Sequence, residues 1–218
     1  MKAYVFGAGA HGRVVADILR AAGLASIAFV DDNPALRGRE VNGIPIAGSL
    51  EEVARGWDAE SGIVIALGNP VLRLKIAARA ASMGVTFFNA IHPSAAIAPT
   101  AALGTGSMIG AGAVINSNAR VGDHVIVNTA AVVEHDTSLE DGSTICPRAS
   151  LGGRTTIARG AFIGSGANLL PRIRVGEFAV VAAASLVTKS VDDRTLVLGA
   201  PARVRETITE SFEWSRLL

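Results

Sequence analysis

Aliphatic residues recur at every sixth position through the second half of the chain. Sixteen consecutive hexads run without insertion from Ile97 to Asp192, and each begins with Ile, Leu or Val. A period of six does not place successive apolar residues on one face of a 3.6-residue helix. It is typical of a parallel β-helix, in which short strands stack coil upon coil.

The other hexad positions are also biased. The fifth is mostly Ala, Ser or Thr, which fits a small residue packed beside the aliphatic one. The second is Gly or Asn in half of the hexads, and we expect it to turn the corner because both residues tolerate positive φ. This pattern resembles the left-handed β-helix of the hexapeptide-repeat acyltransferases, in which three hexads form one triangular coil.

The first 92 residues show a different pattern. Short apolar runs such as AYVF, ASIAFV and GIVIAL alternate with segments of helical spacing such as HGRVVADILRAAG and PVLRLKIAARAASMG. Alternation of this kind predicts a small parallel, Rossmann-like α/β sheet, with VTFFNAI as its last strand. We therefore predict two domains, residues 1–92 for the α/β domain and 93–218 for the β-helix with a short C-terminal tail.

Composition narrows the classes of function. The net charge is +1 without a basic block, which argues against a nucleic-acid or membrane-surface partner and favours a small-molecule substrate. Cys146 is the single cysteine, so no intrachain disulfide can form. No signal peptide or run of about 18 apolar residues is present, and we expect a cytoplasmic protein.

A glycine-rich turn lies between the first predicted strand and helix. Gly7, Gly9 and Gly12 form a G-x-G-x-x-G motif around His11, and Asp31 follows about 20 residues later, as in dinucleotide-binding sites. A turn that only serves packing, an NAD site and a site for another nucleotide all remain open. The 92 residues supply only one half of a dinucleotide fold, which counts against NAD. Gly68 and Asn69 follow a later strand and should border the same crevice.

Glu134, His135 and Asp136 are the main candidates for catalysis. His135 is third in its hexad, so it should project from the solenoid, with Ser117 one coil below it and Gly153 one coil above. A carboxylate at one ring nitrogen raises the basicity of the other, which suits a general base. His124, fourth in its hexad, is expected at the surface. The two histidines do not share a hexad position, and we expect no metal site.

Longer motifs give a closer resemblance. YVFGAGAHG, the Asp-Asp after the second strand, ALGN, NAIHP and N-x-x-A-x-V-E-H-D together resemble the sialic-acid O-acetyltransferase and bacillosamine-pathway sugar N-acetyltransferase family over nearly the full length. The resemblance implies homotrimers with active sites between adjacent β-helices. It also implies transfer of acetyl from acetyl-CoA to the C4 amine of a nucleotide-linked 4-amino-4,6-dideoxy sugar, in O-antigen or other polysaccharide biosynthesis.

The resemblance also assigns roles to residues. It implies that His135 is the general base, with Asp136 or Glu134 as its acidic neighbour and Asn128 close by across the subunit boundary. It also implies that the Gly153 amide faces the thioester carbonyl. Asp31 or Asp32 would contact the nucleobase or the ribose of the nucleotide. Thr144 occupies a position where several relatives have a second histidine, which puts cofactor contacts there in doubt. The remaining candidates for acetyl-CoA are Ser165, Ala183, Lys189 and Arg203.

The sequence therefore predicts a sugar N-acetyltransferase of the perosamine or bacillosamine type that transfers acetyl directly. Cys146 has no evident base beside it, which argues against an acyl-enzyme. Two alternatives remain: O-acetylation of a sialic acid or another free sugar, and a nucleotide-sugar-binding scaffold without catalysis. The nucleobase, which could belong to a UDP, GDP or dTDP sugar, and the stereochemistry at C4 are not identified.

Overall fold

A computed structural model describes residues 2–217. The N-terminal part contains a three-stranded parallel sheet in the order β2-β1-β5, with a short antiparallel hairpin of β3 and β4 beside it. The strands are β1 (Lys2–Phe6), β2 (Ile27–Val30), β3 (Glu40–Val41), β4 (Ile44–Pro45) and β5 (Ser61–Ile65). The helices are α1 (Ala10–Ala21), α2 (Leu50–Arg55) and α3 (Pro70–Ser82), with 3₁₀ turns at Pro34–Leu36 and Trp214–Leu217.

Local sequence explains the helix boundaries. Ser49 and Glu52 form a capping box at the start of α2. Asn69 caps α3, where its Oδ1 accepts from the Val71 and Leu72 amides, and Pro70 occupies the first turn, in which no amide donor is needed. The prediction that VTFFNAI is the last strand of this sheet is confirmed only in part, because the segment pairs with β5 through one isolated parallel bridge, between Phe87 and Ile63. The end of that segment instead opens the solenoid.

The rest of the chain is a left-handed β-helix with three faces. The docked face, which packs against the N-terminal part, contains β6 (Ala90–Ile91), β9 (Met108–Ile109), β12 (Ile126–Val127), β15 (Thr144–Ile145), β18 (Phe162–Ile163), β21 (Val180–Val181), β23 (Thr195–Gly199) and β24 (Ala202–Thr207). The small-residue face contains β7 (Ala96–Ile97), β10 (Val114–Ile115), β13 (Val132–Val133), β16 (Ser150–Leu151), β19 (Asn168–Leu169) and β22 (Leu186–Val187). The open face contains β8 (Ala102–Leu103), β11 (Arg120–Val121), β14 (Ser138–Leu139), β17 (Thr156–Ile157) and β20 (Arg174–Val175).

Parallel pairing sets the coil length. Ile126 pairs with Met108 on one side and with Thr144 on the other, so partners lie 18 residues apart. Three hexads therefore form one coil, as expected. The first residues of the hexads from Ile109 to Val187 are all buried in one continuous core, together with small fifth-position residues such as Ala113 and Ala131. The hydrophobic repeat thus fills the interior of the solenoid.

The second hexad position does not turn the corner, so the expectation drawn from its Gly and Asn residues was wrong. Positive φ occurs at the fourth position instead, in every hexad from Gly106 to Ala184, and includes Asp136 at φ 57°. The second position is small for another reason. A Cβ on Gly164 would lie 2.5 Å from the Ala183 nitrogen, and one on Gly152 would lie 2.6 Å from that of Pro171. Close approach of the next coil therefore selects glycine there.

The N-terminal part packs closely on the docked face. Met108 and Ile126 are buried within the same cluster as Val5 and Phe29 of the parallel sheet. This contact also covers His124, whose ring packs edge-on to Phe87 at 4.6 Å. The expectation that His124 lies at the surface was wrong, since the residue is only 8% exposed. Burial lowers the pKa of His124.

The C-terminal tail covers the far end of the docked face. Strands β23 and β24 form an antiparallel hairpin that follows β21. Beyond it, Ile208 and Trp214 pack on Phe162 and Val180 of the solenoid. The docked face is thus covered by the N-terminal part and by the tail.

Candidate active site

The glycine turn leaves an open helix terminus. Gly7 has a φ of 98°, and a Cβ on Gly12 would lie 1.8 Å from the Gly7 carbonyl oxygen. A Cβ on Gly9 would meet nothing within 4 Å, so packing alone does not require glycine at this position. Gly9 is the N-cap of α1 and provides no side-chain cap. The turn therefore has space and amide donors for an anionic group, as the motif predicts.

The two aspartates after β2 have different surroundings. Asp31 accepts hydrogen bonds from the Ala8 amide (Oδ2, 2.9 Å) and the Asn33 amide (Oδ1, 2.9 Å), and thereby braces the glycine turn. Asp32 accepts from the Leu50 amide at the start of α2 and forms an ion pair with Arg79. The structure thus places Asp31 at the turn and ties Asp32 to two helices.

A cavity of about 600 Å³ separates the glycine turn from the docked face. Most of the predicted substrate-binding residues line it, but Gly12, Asp32 and Asn69 do not. On the solenoid side its wall includes three predicted site residues and an apolar patch. The lining residues are Gly7, Gly9, Ala10, His11, Asp31, Ala66, Leu67, Gly68, Ile126, Asn128, Thr144, Cys146, Pro147, Phe162, Ser165 and Leu217.

His11 is a neutral donor or acceptor in this wall. Burial, and to a lesser extent the nearby Arg73 cation, lowers the pKa of His11 to about 4. Its Nε2 atom is buried and has no hydrogen-bond partner among residues 2–217. The imidazole is therefore uncharged at neutral pH and available for a neutral hydrogen bond.

Arg73 was missed by the sequence reasoning. It is 0% exposed and donates to the carbonyl oxygens of His124 (2.9 Å), Leu67 (2.6 Å) and Gly142 (2.6 Å), and to the Thr144 hydroxyl (2.8 Å). Burial lowers its pKa to about 9, so the guanidinium remains charged at neutral pH. Helical spacing could have revealed it, because Arg73 shares the buried face of α3 with Ile76, Ala77 and Ala80.

His135 lies on a different edge of the solenoid. The third residues of successive hexads between the small-residue face and the open face form a column, here called the histidine corner: Ser117, His135, Gly153, Pro171 and Lys189. The His135 Nδ1 atom is 2.9 Å from Asp136 Oδ2, and this contact lowers the pKa of Asp136. A carboxylate partner on Nδ1 fixes the tautomer that leaves Nε2 as the acceptor. The Glu134 carboxylate accepts from the His135 backbone amide at 3.3 Å.

Gly153 stacks on the His135 ring as predicted from the coil length. A Cβ at this position would lie 2.6 Å from Nε2 and 2.7 Å from Cε1. The neighbouring Arg154 amide donates to the His135 carbonyl, whereas the Gly153 amide has no acceptor among the described residues. A free amide next to Nε2 is placed to donate a hydrogen bond that stabilises an oxyanion.

The predicted cofactor residues fall on two edges. Ser165 and Ala183 follow the docked face, at an edge here called the asparagine corner, which also contains Asn128 and Pro147. Gly153 and Lys189 lie on the histidine corner. Arg203 lies in β24 and is exposed, and the Thr144 hydroxyl is engaged by Arg73. Within one chain, the cavity beside the glycine turn does not include His135.

Cys146 is a poor nucleophile in this environment. It is 8% exposed, and burial raises the pKa of its thiol to about 12. The residues that the structure describes contain no group of three or more His, Cys, Asp or Glu side chains able to hold a metal ion. None of the helices within residues 2–217 combines the length and the hydropathy that a membrane span requires.

Comparison with protein families identifies the N-terminal part. A family model described as the PglD N-terminal domain matches residues 2–80. This range contains the glycine turn, both aspartates and Arg73.

Three solved structures match almost the whole chain. A mutant perosamine N-acetyltransferase from Caulobacter crescentus, in complex with CoA and GDP-perosamine, is 33% identical with a TM-score of 0.88, over 94% of this chain and 97% of that one. The acetyltransferase domain of PglB from Neisseria gonorrhoeae FA1090, in complex with acetyl coenzyme A, is 36% identical with a TM-score of 0.88, over 94% and 98%. WeeI from Acinetobacter baumannii AYE is 28% identical with a TM-score of 0.87, over 94% and 100%.

Proposed function

The chain belongs to the bacillosamine- and perosamine-type sugar N-acetyltransferase family, and we propose that it acetylates the C4 amine of a nucleotide-linked 4-amino-4,6-dideoxy sugar. As a member of this family it is an acyltransferase. The observation that carries the proposal is the His135–Asp136 pair beneath the free Gly153 amide. Two of these relatives were solved with ligands, one with CoA and GDP-perosamine and the other with acetyl coenzyme A, which supports acetyl-CoA as the co-substrate and a nucleotide amino sugar as the acceptor.

His135 is the proposed general base. Its Nε2 takes a proton from the sugar amine as the amine nitrogen attacks the acetyl carbonyl carbon. Asp136 orients the ring and stabilises the imidazolium that forms. The Gly153 amide stabilises the oxyanion, and collapse of the tetrahedral intermediate breaks the C–S bond. The imidazolium then returns its proton to the leaving CoA thiolate, and the product is an amide.

Direct transfer is supported by the state of the only thiol. An acyl-enzyme would need a thiolate, and burial keeps Cys146 protonated at neutral pH. Among the described residues, the Glu134 carboxylate forms a hydrogen bond only with the His135 backbone amide. We therefore assign the orienting role to Asp136.

The cavity beside the glycine turn is the proposed site of the nucleotide diphosphate. Gly9 leaves the α1 terminus accessible, and phosphate oxygens suit its unpaired amides. Asp31, His11 and Gly68 lie around the same space and would contact the remaining parts of the nucleotide sugar. The proposal includes UDP, GDP and dTDP sugars of the O-antigen or related polysaccharides.

A homotrimer would complete the site. The small-residue face lies between the two corners, and its outward residues include Ala96, Val114 and Val132, which can pack around a three-fold axis. In such a ring the asparagine corner of one subunit meets the histidine corner of the next. His135 of one subunit would then face the cavity of its neighbour, near Asn128.

The same arrangement fits the length of CoA. Lys189 lies three coils above His135 on the histidine corner, a rise of about 14 Å at the usual strand spacing. Lys189 is exposed and would pair with a CoA phosphate, while Ser165 and Ala183 of the neighbouring corner would flank the pantetheine arm. Arg203, exposed in the C-terminal hairpin, is a second candidate for phosphate.

Release of CoA from acetyl-CoA, followed with a thiol reagent, tests the proposal. The acceptors are UDP-, GDP- and dTDP-linked 4-amino-4,6-dideoxy sugars, with a free sialic acid as the contrasting acceptor. We expect release with at least one nucleotide amino sugar. Release with sialic acid alone would indicate an O-acetyltransferase. No release with any acceptor would favour a binding scaffold without catalysis.

A further inference from the structure

Arg73 joins the two walls of the substrate cavity. Its Nη1 atom donates to the carbonyl oxygens of Leu67 (2.6 Å) and Gly68 (3.1 Å) on the side of the glycine turn. Its Nη2 atom donates to the Thr144 hydroxyl at 2.8 Å on the solenoid side. Leu67, Gly68 and Thr144 all line the cavity, so one buried cation sets the separation of the opposing walls.

The Leu67–Gly68 segment in turn supports the glycine turn. A Cβ on Gly7 would lie 3.1 Å from Leu67 Cδ2 and 3.2 Å from the Ala66 carbonyl oxygen. The two segments are therefore in close contact. A shift of Leu67 away from Arg73 would change the space available to a phosphate at the turn.

We propose that Arg73 is a positioning residue for the nucleotide-sugar site and that Thr144 is its side-chain anchor on the solenoid, beside the His124 and Gly142 carbonyl oxygens. The inference rests on the proposed function and assigns the pair to binding of the acceptor rather than to the acetyl-transfer step. It also gives Thr144 a role other than contact with the cofactor. Lysine cannot replace the arginine, because one ammonium group cannot reach acceptors that the planar guanidinium contacts through three nitrogens.

Thr144→Val is the informative variant. Valine keeps the shape of the buried side chain but removes the side-chain acceptor of Arg73 Nη2, which retains the Gly142 carbonyl oxygen at 2.6 Å. We expect the KM for the nucleotide amino sugar to rise about five- to twentyfold. This range corresponds to part of the free energy of one hydrogen bond to a charged group. The kcat and the KM for acetyl-CoA should stay within about twofold. Thr144→Ser, which keeps the hydroxyl, should restore the KM.

Thr156→Val is the matched control. Thr156 also precedes isoleucine in a two-residue strand, β17, but lies on the open face away from the cavity. Its substitution should leave both KM values unchanged. Arg73→Lys should raise the acceptor KM further, provided that its circular dichroism matches the wild type.

Two results would overturn the inference. One is an unchanged acceptor KM in Thr144→Val, and the other is a loss confined to kcat or to the KM for acetyl-CoA. Calorimetric titration of UDP and GDP into wild type and Thr144→Val separates this question from catalysis. If the wild type releases no CoA with any acceptor, the proposed function fails. A weaker Kd for UDP or GDP in Thr144→Val would still support the role of Arg73, and an equal Kd would contradict it.

Discussion

Gly153→Ala should inactivate the base while leaving the fold intact. The new Cβ would lie 2.6 Å from His135 Nε2 and 3.1 Å from Cδ2, whereas unstrained contacts need about 3.5 Å. The ring would have to move by about 1 Å, and a displacement of that size costs on the order of 10²-fold in rate. Movement would also strain the 2.9 Å contact with Asp136. The position does not require positive φ, so alanine is compatible with the backbone.

The assay is CoA release at saturating nucleotide amino sugar, together with thermal unfolding. We expect kcat to fall about 100-fold with an acceptor KM near the wild-type value. Ser117→Ala is the control, because Ser117 lies in the same column one coil below His135. A Gly153→Ala enzyme with kcat within about threefold of wild type and normal unfolding would refute the stacking argument.

Three further outcomes are expected. His135→Asn should fold normally and lower kcat by about 10³-fold or more, as measured by CoA release. A variant that keeps the wild-type rate would show that His135 is not the general base. Because the pKa of His11 is about 4 in the folded protein and near 6.5 when unfolded, the contribution of His11 to the free energy of unfolding should be constant above pH 6.5 and fall by up to about 3 kcal/mol towards pH 4. Urea titrations should show a shallower fall in His11→Gln, and an equal fall would contradict the assignment. Refolding an equimolar mixture of His135→Asn and Gly9→Glu should restore about a quarter of the wild-type activity if each site combines two subunits, whereas sites within one chain would restore none.

Periodicity predicted the solenoid because each coil must bury one aliphatic residue per face. Val133 and Leu151 therefore mark the core directly. The same reasoning placed Gly153 over His135, since strands pair with a constant offset. It failed at the corners, where Asp136, Arg148 and Phe178 adopt positive φ despite their side chains. The repeated coil geometry imposes this conformation regardless of local preference.

The contacts between the N-terminal part and the solenoid could not be predicted from the sequence. His124 is buried because the N-terminal part covers one face of the solenoid, and nothing in its own hexad indicates that contact. Arg73 is buried by the same contact: its helical spacing places it on the buried face of α3, but its acceptors could not be predicted, since an arginine in an amphipathic helix is ordinarily solvated. Its carbonyl acceptors come from segments as distant as Gly142. The choice of Asp31 rather than Asp32 as the residue that contacts the nucleotide required the structure, which shows that Asp32 is engaged by the helices.

The most direct test of the account is the position of the transferred acetyl group. Incubation with acetyl-CoA labelled with ¹³C at the carbonyl, followed by NMR of the product, distinguishes an amide from an ester. We predict an amide carbonyl coupled to the proton on the C4 nitrogen of the nucleotide-linked sugar. An ester carbonyl on a sugar oxygen, or label that stays in acetyl-CoA, would contradict it.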